Sequence, residues 1–334
     1  LFLYPVKSLL PVEVSYAELT SEGLRFDRQY ILVKTPPQPA ASDASESEPR
    51  LAEHLAIKRI FLLALFQPSI HDGWSKLTIR HTLARPESSI TLPLTPSPAL
   101  CANASKFKVS IFGTSAIAID MGEMPASFFR KHLGMDVRLC FIGGNGKRML
   151  PGVAFGSRIA TANILPPGSP LLDERVQAQR TRFADAAPYL ITSSASEEDV
   201  RSRLPVENQA EDVIIRLRPN IHIGVDDSTP PYDEDDWDTI LVYDGDPKAR
   251  EAQPKATIVC IFRTARCLSL NADLKTGMVA PRQRQLYGLL AKDRRVNPLY
   301  PHKPVFGQYA YSTSVGQTLR VGDAVRVNRR NGST

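Results

Sequence analysis

The residue with the most chemistry around it is Cys267. It stands in RTARCLSLNADLKTG, residues 263–277, behind Arg263 and Arg266 and ahead of a polar turn. Positive neighbours favour a thiolate, the form that binds soft metals and attacks electrophiles. Cys260 lies instead in the apolar run TIVCIF. It reads as core, because cysteine is among the most buried residue types. The same core reading is open for Cys267, so residue chemistry alone leaves its role undecided. Four other stretches put reactive or charged groups at tight turns after predicted strands. They are YPVKS with Lys7 and Ser8, the Asp27-Arg28 pair, FADAAPYL with Asp185, and RLRPN with Arg218 and Asn220. Singly, each has a plain reading: Lys7 as a surface lysine, Arg218 as an arginine capping a carbonyl.

Other chemistries fail on spacing. GGNGKR (143–148) does not meet GxxxxGK[ST], and Arg148 stands where the hydroxyl belongs, so a glycine-rich turn is expected. No GxGxxG, GxSxG or HExxH occurs. The histidines at 54, 71, 81, 132, 222 and 302 lack metal-ligand spacing. The acidic run VDDSTPPYDEDDWD (225–238) lacks the alternating calcium ligands with a turn glycine and closing glutamate, and a solvated loop is expected. The net charge of +6 suits an anionic ligand or a membrane surface, but the basic residues are scattered, so nucleic acid is not an expected partner. Four cysteines (101, 140, 260, 267) with no CxxC pair exclude a disulfide scaffold and a zinc ribbon, and fit a reducing intracellular compartment.

The elements that must position these residues are mainly strands. LFLYPVK, VEVSYAELT and RQYILVK alternate at period two, with a turn at Gly23. Strand-like stretches follow at IFLLALF, KLTIRHTL, SITLPL, KFKVSIFGTSAIAID and MDVRLCFI. PASFFRKHLG (125–134) predicts a helix, with Pro125 in the first turn and Gly134 past the end. TPPQPAASDASESEPR (35–50) predicts a solvated, disordered insertion, and TPSPALCANAS (95–105) a loop. In the second half, FADAAPYLIT, VIIRLRPNIHI, DTILVYD and KATIVCIF read as strands. SASEEDVRSRL reads as a helix opened by a capping box from Ser194 to Glu197. TLRVGDAVRVN reads as a strand pair turned at Gly322-Asp323. No apolar run reaches the roughly 18 residues of a membrane helix. The chain opens on Leu1, and the expectation is that a preceding piece carries any anchor.

Taken in order, YPVKS, DR, FADAAPYL, RLRPN, RTARC…TG, PVFGQYA and TLRVGDAVRV resemble the MOSC-domain proteins (molybdenum cofactor sulfurase C-terminal domain). Within them the chain is similar to the mitochondrial amidoxime-reducing component group and its fungal relatives. The resemblance implies a β-rich α+β fold. A β-barrel domain would span 1–122, a helix and connecting segment 123–180, and a MOSC β-barrel domain with a few helices 181–330. It implies a molybdenum–molybdopterin cofactor between the two barrels, with Cys267 as the thiolate ligand of the metal. Lys7, Ser8 and Arg28 would hold the cofactor phosphate, and Asp185, Arg218 and Asn220 the pterin; Cys267 and Asp185 would be the catalytic residues. The implied activity is reduction of small N-hydroxylated substrates of the amidoxime type. Electrons would come from cytochrome b5 and its NADH-dependent reductase, and the location would be the mitochondrial outer membrane. The alternative within the family is a molybdenum-cofactor carrier, or sulfur-handling protein, without redox turnover. No lysine context supports pyridoxal phosphate, a label the family often carries. Three departures stand out. Ala186-Ala187 replaces hydroxyl residues or a Gly-Tyr pair. Ala272-Asp273-Leu274 lacks a proline, so a less rigid turn is expected. Lys58-Arg59 only loosely matches a threonine-arginine element.

Overall fold

A computed structural model of the chain describes residues 1–36, 49–143, 148–149, 180–248 and 252–329. The insertion expected at 35–50 falls mostly on 37–48, and much of the connecting segment on 150–179; both lie outside the described residues.

Alternating sequences become strands, as expected, and the molecule is β-rich with a few short helices. The five-stranded sheet of the first half runs Tyr30–Lys34, Val137–Ile142, Thr114–Asp120, Lys106–Ile111, Arg50–Ala52, antiparallel except for its last pair. Its hairpin turns at Phe112 and Gly113, both left-handed, with φ of 51° and 82°. A doubly left-handed turn of this kind matches the twist of the flanking strands. A three-stranded meander, Phe66–His71, Lys76–His81, Ser88–Pro93, packs its buried face with the helix Glu123–Leu133. That helix ends as predicted at Gly134, which is left-handed at φ 66°. Glycine takes that conformation without the penalty a Cβ would bring.

The second half is built on a six-stranded sheet, ordered Ile221–Ile223, Tyr189–Ser193, Val305–Ser312, Ala256–Ala265, Trp237–Tyr243, Ala324–Arg329. The start of the chain contributes to its core: Leu3, Ala17, Leu19 and Leu24 pack with Tyr189, Ile191, Trp237, Ile258 and Cys260. The strand Tyr16–Thr20 pairs with Gly23–Leu24 and also with Thr318–Arg320 near the far end of the chain. Only at Tyr30 does the chain enter the first sheet. Residues 4–30 are therefore the seam. There Arg28 N donates to Tyr4 O (2.7 Å), Tyr30 N to Pro5 O (2.9 Å) and Lys7 N to Tyr30 O (2.8 Å).

Several local expectations are corrected. IFLLALF starts as a 3-10 turn, Phe61–Leu65, before the strand at Phe66. An all-apolar run carries no period to choose by. Val213–Leu217 is a short helix, not a strand, with only Ile221–Ile223 in the sheet. The helix Ser194–Ser202 is capped by Ser193, whose Oγ accepts from Ser196 N (3.3 Å); Ser194 Oγ instead accepts from Val225 N. The strands either side of Gly322-Asp323 enter different sheets. Pro98–Ala102, expected as loop, forms one helical turn. The acidic loop is not solvated throughout. Glu234 is fully buried and accepts from Ser193 Oγ (2.8 Å) and Ser196 Oγ (2.6 Å), and Asp235 pairs with Arg294 (2.5 Å).

Gly307 lies in the strand Val305–Ser312, at φ 75°, and a Cβ there would stand 2.6 Å from the Ile191 carbonyl oxygen. Backbone strain and overlap act together, so Gly307→Ala should lower unfolding free energy by about 2 kcal/mol or more. Chemical denaturation of the variant beside wild type checks this; an unchanged midpoint would show that the strand shifts freely.

Candidate functional site

The strand Ala256–Ala265 carries two register shifts against Val305–Ser312, between Cys260 and Phe262 and between Arg263 and Ala265. Bulges re-aim side chains, and the second of these lies between the two arginines before Cys267. Arg263 turns away to Asp236 (3.0 Å) and Asp235 (3.7 Å). Arg266 lines a cavity and donates Nη2 to Leu217 O (2.6 Å). The charge beside Cys267 thus comes from one of the two predicted arginines.

That cavity, about 370 Å³, is where the two halves meet. Lys7, Ser8, Arg28 and Lys58 line it from the first half, and Asp185, Arg218, Asn220, Arg266 and Cys267 from the second. Every site residue expected from sequence reaches this one space. Cys267 is half-buried, with Sγ 3.1 Å from Ser269 Oγ, and caps the 3-10 turn Leu268–Asn271. Among the described lining residues it is the one thiol. Among the described residues, no group of three or more His, Cys, Asp or Glu is arranged to hold a metal. A metal at Cys267 would therefore draw other ligands from the group that carries it.

Lys7 is buried and forms an ion pair with Asp185, whose side chain is 46% exposed toward the cavity. Burial works to raise the Asp185 pKa, but Lys7 and Arg28 override it and hold the carboxyl well below the usual carboxylate range. Arg28 Nη1 donates to Asp27 Oδ2 (2.5 Å) and Asn220 Oδ1 (2.8 Å). Asn220 is nearly fully buried: its Oδ1 also accepts from Leu190 N (3.3 Å), and its Nδ2 donates to Phe2 O (3.3 Å). Its amide ties Arg28 to both chain segments. Ser8 Oγ donates to Leu55 O (3.2 Å). Arg218, left-handed at φ 60° and ending the helix Val213–Leu217, donates Nη1 to Leu9 O (2.7 Å). Burial lowers its pKa to about 10, which leaves it charged near neutrality. Burial also lowers His54, on the same lining, to about 4, with Lys7 contributing, so its imidazole is neutral there.

Sequence reasoning missed several members. Arg148, read as part of a glycine-rich turn, is buried and donates to the carbonyls of Ile111 (2.9 Å), Arg182 (2.9 Å) and Ala184. It thereby holds the loop that presents Asp185; residues 144–147 of that turn lie outside the described residues. Phe112, at the tip of the first-half hairpin, and Phe262, Tyr300 and Tyr309 form an aromatic part of the lining. The stretch KFKVSIFGTSAIAID is expected as strand, but its turn at Phe112-Gly113 is not, and nothing in its sequence says where that tip lands. The turn after Cys267 is held without the proline: Asp273 Oδ1 accepts from Lys275 N (2.9 Å) and Thr276 N (3.2 Å). Gly277 closes it at φ 65°, where a Cβ would stand 2.7 Å from Leu65 Cδ1, so this loop packs directly on the first half.

Six cations line this space, Lys7 and Arg266 buried, Arg28 and Arg218 half-buried, Lys58 and Lys303 exposed at its rim. Two carboxylates, Asp27 and Asp185, stand against them. Thr264 Oγ1, on the lining, is buried without a hydrogen-bond partner. An excess of positive charge withdrawn from water, an unpartnered hydroxyl and a single soft donor fit a ligand that has an anionic end and a metal end.

Two β-rich halves with a cationic cavity at their seam define the class. The chain belongs to the MOSC-domain proteins: the MOSC N-terminal beta barrel domain matches residues 1–136 and the MOSC domain residues 178–326. Mitochondrial amidoxime-reducing component 1 of Mus musculus is 28% identical over 332 residues, 97% of this chain and 80% of that protein. The Homo sapiens proteins of the same name numbered 1 and 2 are each 28% identical, over 97% of this chain and 81% of their own length.

The Lys7–Asp185 pair yields a test with a definite sign. Burial lowers the Lys7 pKa from its ordinary 10.5, and Asp185 opposes that. A lysine depressed by folding contributes stability above its unfolded pKa that is lost as pH falls toward the folded one. Removing Asp185 deepens the depression. Asp185→Asn should cost about 1–3 kcal/mol near pH 7, below the full value for a buried pair because Asp185 is half-exposed. The deficit should shrink as pH rises toward about 10. Denaturant unfolding across that range measures it, and a pH-independent deficit would contradict the coupling.

Proposed function

We propose that the chain is a molybdenum-cofactor-dependent oxidoreductase that reduces N-hydroxylated compounds of the amidoxime type. The carrying observation is the convergence, on one cavity, of the Cys267 thiol with cations from both halves. The names and coverage of the relatives support the substrate class. Lys7, Ser8 and Arg28 would hold the cofactor phosphate, Asp185, Arg218 and Asn220 would meet the pterin, and Cys267 would ligate the metal. When bound, such a group supplies two-electron removal of oxygen from the substrate, which leaves as water with two protons.

The chain's own residues then bind, orient and exclude water. Asp185, held ionised, serves as hydrogen-bond acceptor and charge partner. Asn220 fixes the Arg28 guanidinium. Phe112, Phe262 and Tyr300 offer an apolar wall to a small substrate. Electrons from cytochrome b5 and its NADH-dependent reductase complete the proposal, as does a mitochondrial site of action, which the relatives' names support. Among the described residues no helix is long and apolar enough to cross a membrane. Outer-membrane attachment through an N-terminal anchor belongs to the same proposal.

Cys267→Ala should abolish amidoxime reduction by the chain supplied with reduced cytochrome b5, with a loss of bound molybdenum measured by mass spectrometry. Full rate with full molybdenum in the variant would refute the ligand assignment. Bound cofactor without N-reduction in the wild type would favour the carrier reading.

A further inference from the structure

Two guanidinium groups lie over the ring of one buried tyrosine. The Cζ of Arg218 is 4.4 Å and that of Arg28 4.6 Å from the Tyr4 ring centroid. Tyr4 is fully buried, and its Oη has no hydrogen-bond partner. The hydroxyl therefore does not explain the residue, whereas the ring face does: its negative quadrupole attracts cations, more strongly where water is excluded.

The connections close on themselves. Tyr4 N donates to Asp27 Oδ1 (2.8 Å), Arg28 N donates to Tyr4 O (2.7 Å), and Arg28 Nη1 donates to Asp27 Oδ2 (2.5 Å). Arg28 thus has a carboxylate partner. Among the described residues Arg218 has no ion pair within 4.0 Å; its Nη1 meets a carbonyl oxygen and its plane meets the ring. Both arginines hold left-handed backbones, φ 47° and 60°, and both line the cavity. Two like charges brought this close repel unless something offsets them, and the shared ring is what they have in common.

We propose that Tyr4 is a positioning residue whose ring face holds Arg28 and Arg218 together as a clamp for a phosphate-class anion. The clamp rests on the proposed function for the identity of that anion, the phosphate end of the cofactor, and moves Arg218 from the pterin contact given to it there to the phosphate beside Arg28; its geometry would serve free phosphate equally. Burial raises the Tyr4 pKa, so the phenol stays neutral and the ring keeps its attractive face.

The test replaces Tyr4 in two ways that preserve shape: Tyr4→Phe, and substitution by pentafluorophenylalanine, which removes the negative ring face. Inorganic phosphate is titrated into cofactor-free chain by calorimetry, and the rate of molybdenum and pterin loss is followed in cofactor-loaded chain, each beside a melting curve. Tyr4→Phe should match wild type in both. The fluorinated variant should bind phosphate about tenfold or more weakly and release its cofactor correspondingly faster, with an unchanged melt. Equal phosphate affinity in the two variants would overturn the clamp, and so would a loss of affinity in Tyr4→Phe. A weakened phosphate titration with unchanged cofactor release would restrict the clamp to free phosphate and overturn its assignment to the cofactor. Wild-type chain that binds phosphate yet reduces no amidoxime leaves the clamp standing and removes only the proposed reaction.

Discussion

The constraint on which this structure turns is the concentration of positive charge in a space withdrawn from water. Lys7, Arg28, Arg218 and Arg266 would repel one another and lose hydration on folding. A conventional remedy would pair each with a carboxylate. Among the described residues two carboxylates, Asp27 and Asp185, serve, and further support comes from neutral groups: the Leu9 and Leu217 carbonyls, the Asn220 amide and the Tyr4 ring. Neutral partners satisfy donors without cancelling charge. The cavity stays electropositive, ready for an anion that completes the compensation.

Topology makes such an arrangement workable. Leu3, Ala17, Leu19 and Leu24 are built into the core of the second half. Val6 and Leu9 pack in the first core, and the strand from Tyr30 belongs to the first sheet. The seam is gripped from both sides, through Arg28 N on Tyr4 O, Asn220 Nδ2 on Phe2 O and Arg218 Nη1 on Leu9 O. Side chains on that seam cannot drift apart as they could across a hinge. The loop after Cys267 is pinned in the same way, by Gly277 against Leu65. Binding groups thus come from both halves, but their spacing is set by a chain segment that both cores hold.

What was legible in the sequence was whatever depends on local pattern. The helix Glu123–Leu133 with its Gly134 end and the core placement of Cys260 follow from periodicity and turn chemistry, whereas KFKVSIFGTSAIAID, read as one strand-like stretch, is two strands folded back at Phe112-Gly113. The order of short motifs, through the resemblance it carries, named residues that all reach the cavity, although Arg218 comes to it from the end of a helix rather than of a strand. What was not legible depends on partners remote in sequence. Glu234 reads as solvated until Ser193 and Ser196 arrive beside it. Arg148 reads as a turn residue until the carbonyls of Ile111 and Ala184 surround its guanidinium. Val213–Leu217 is apolar enough for a strand. It folds as a helix whose Arg216 side chain donates to Leu270 O (2.7 Å) and whose last carbonyl, of Leu217, accepts from Arg266. Arg263 and Arg266 are alike in sequence and are separated only by a bulge that no pattern announces.

Backbone strain at the site carries the same logic further. Ser8, Arg28 and Arg218 all have φ between 47° and 72°. That region disfavours residues with a Cβ by about 1–2 kcal/mol each. Glycine would relieve the strain at any of the three and would fit the turn equally well. At Arg28 and Arg218 glycine would also remove the guanidinium groups that share the Tyr4 ring, and at Arg28 it would leave Asp27 buried without its ion pair. The unusual backbone and the charged side chain are thus required together: the left-handed turn aims the chain back across the seam, and the side chain it carries supplies the charge the cavity presents. Residues of this kind are hard to explain as packing, since packing alone would select glycine at the turn and an apolar side chain beneath it.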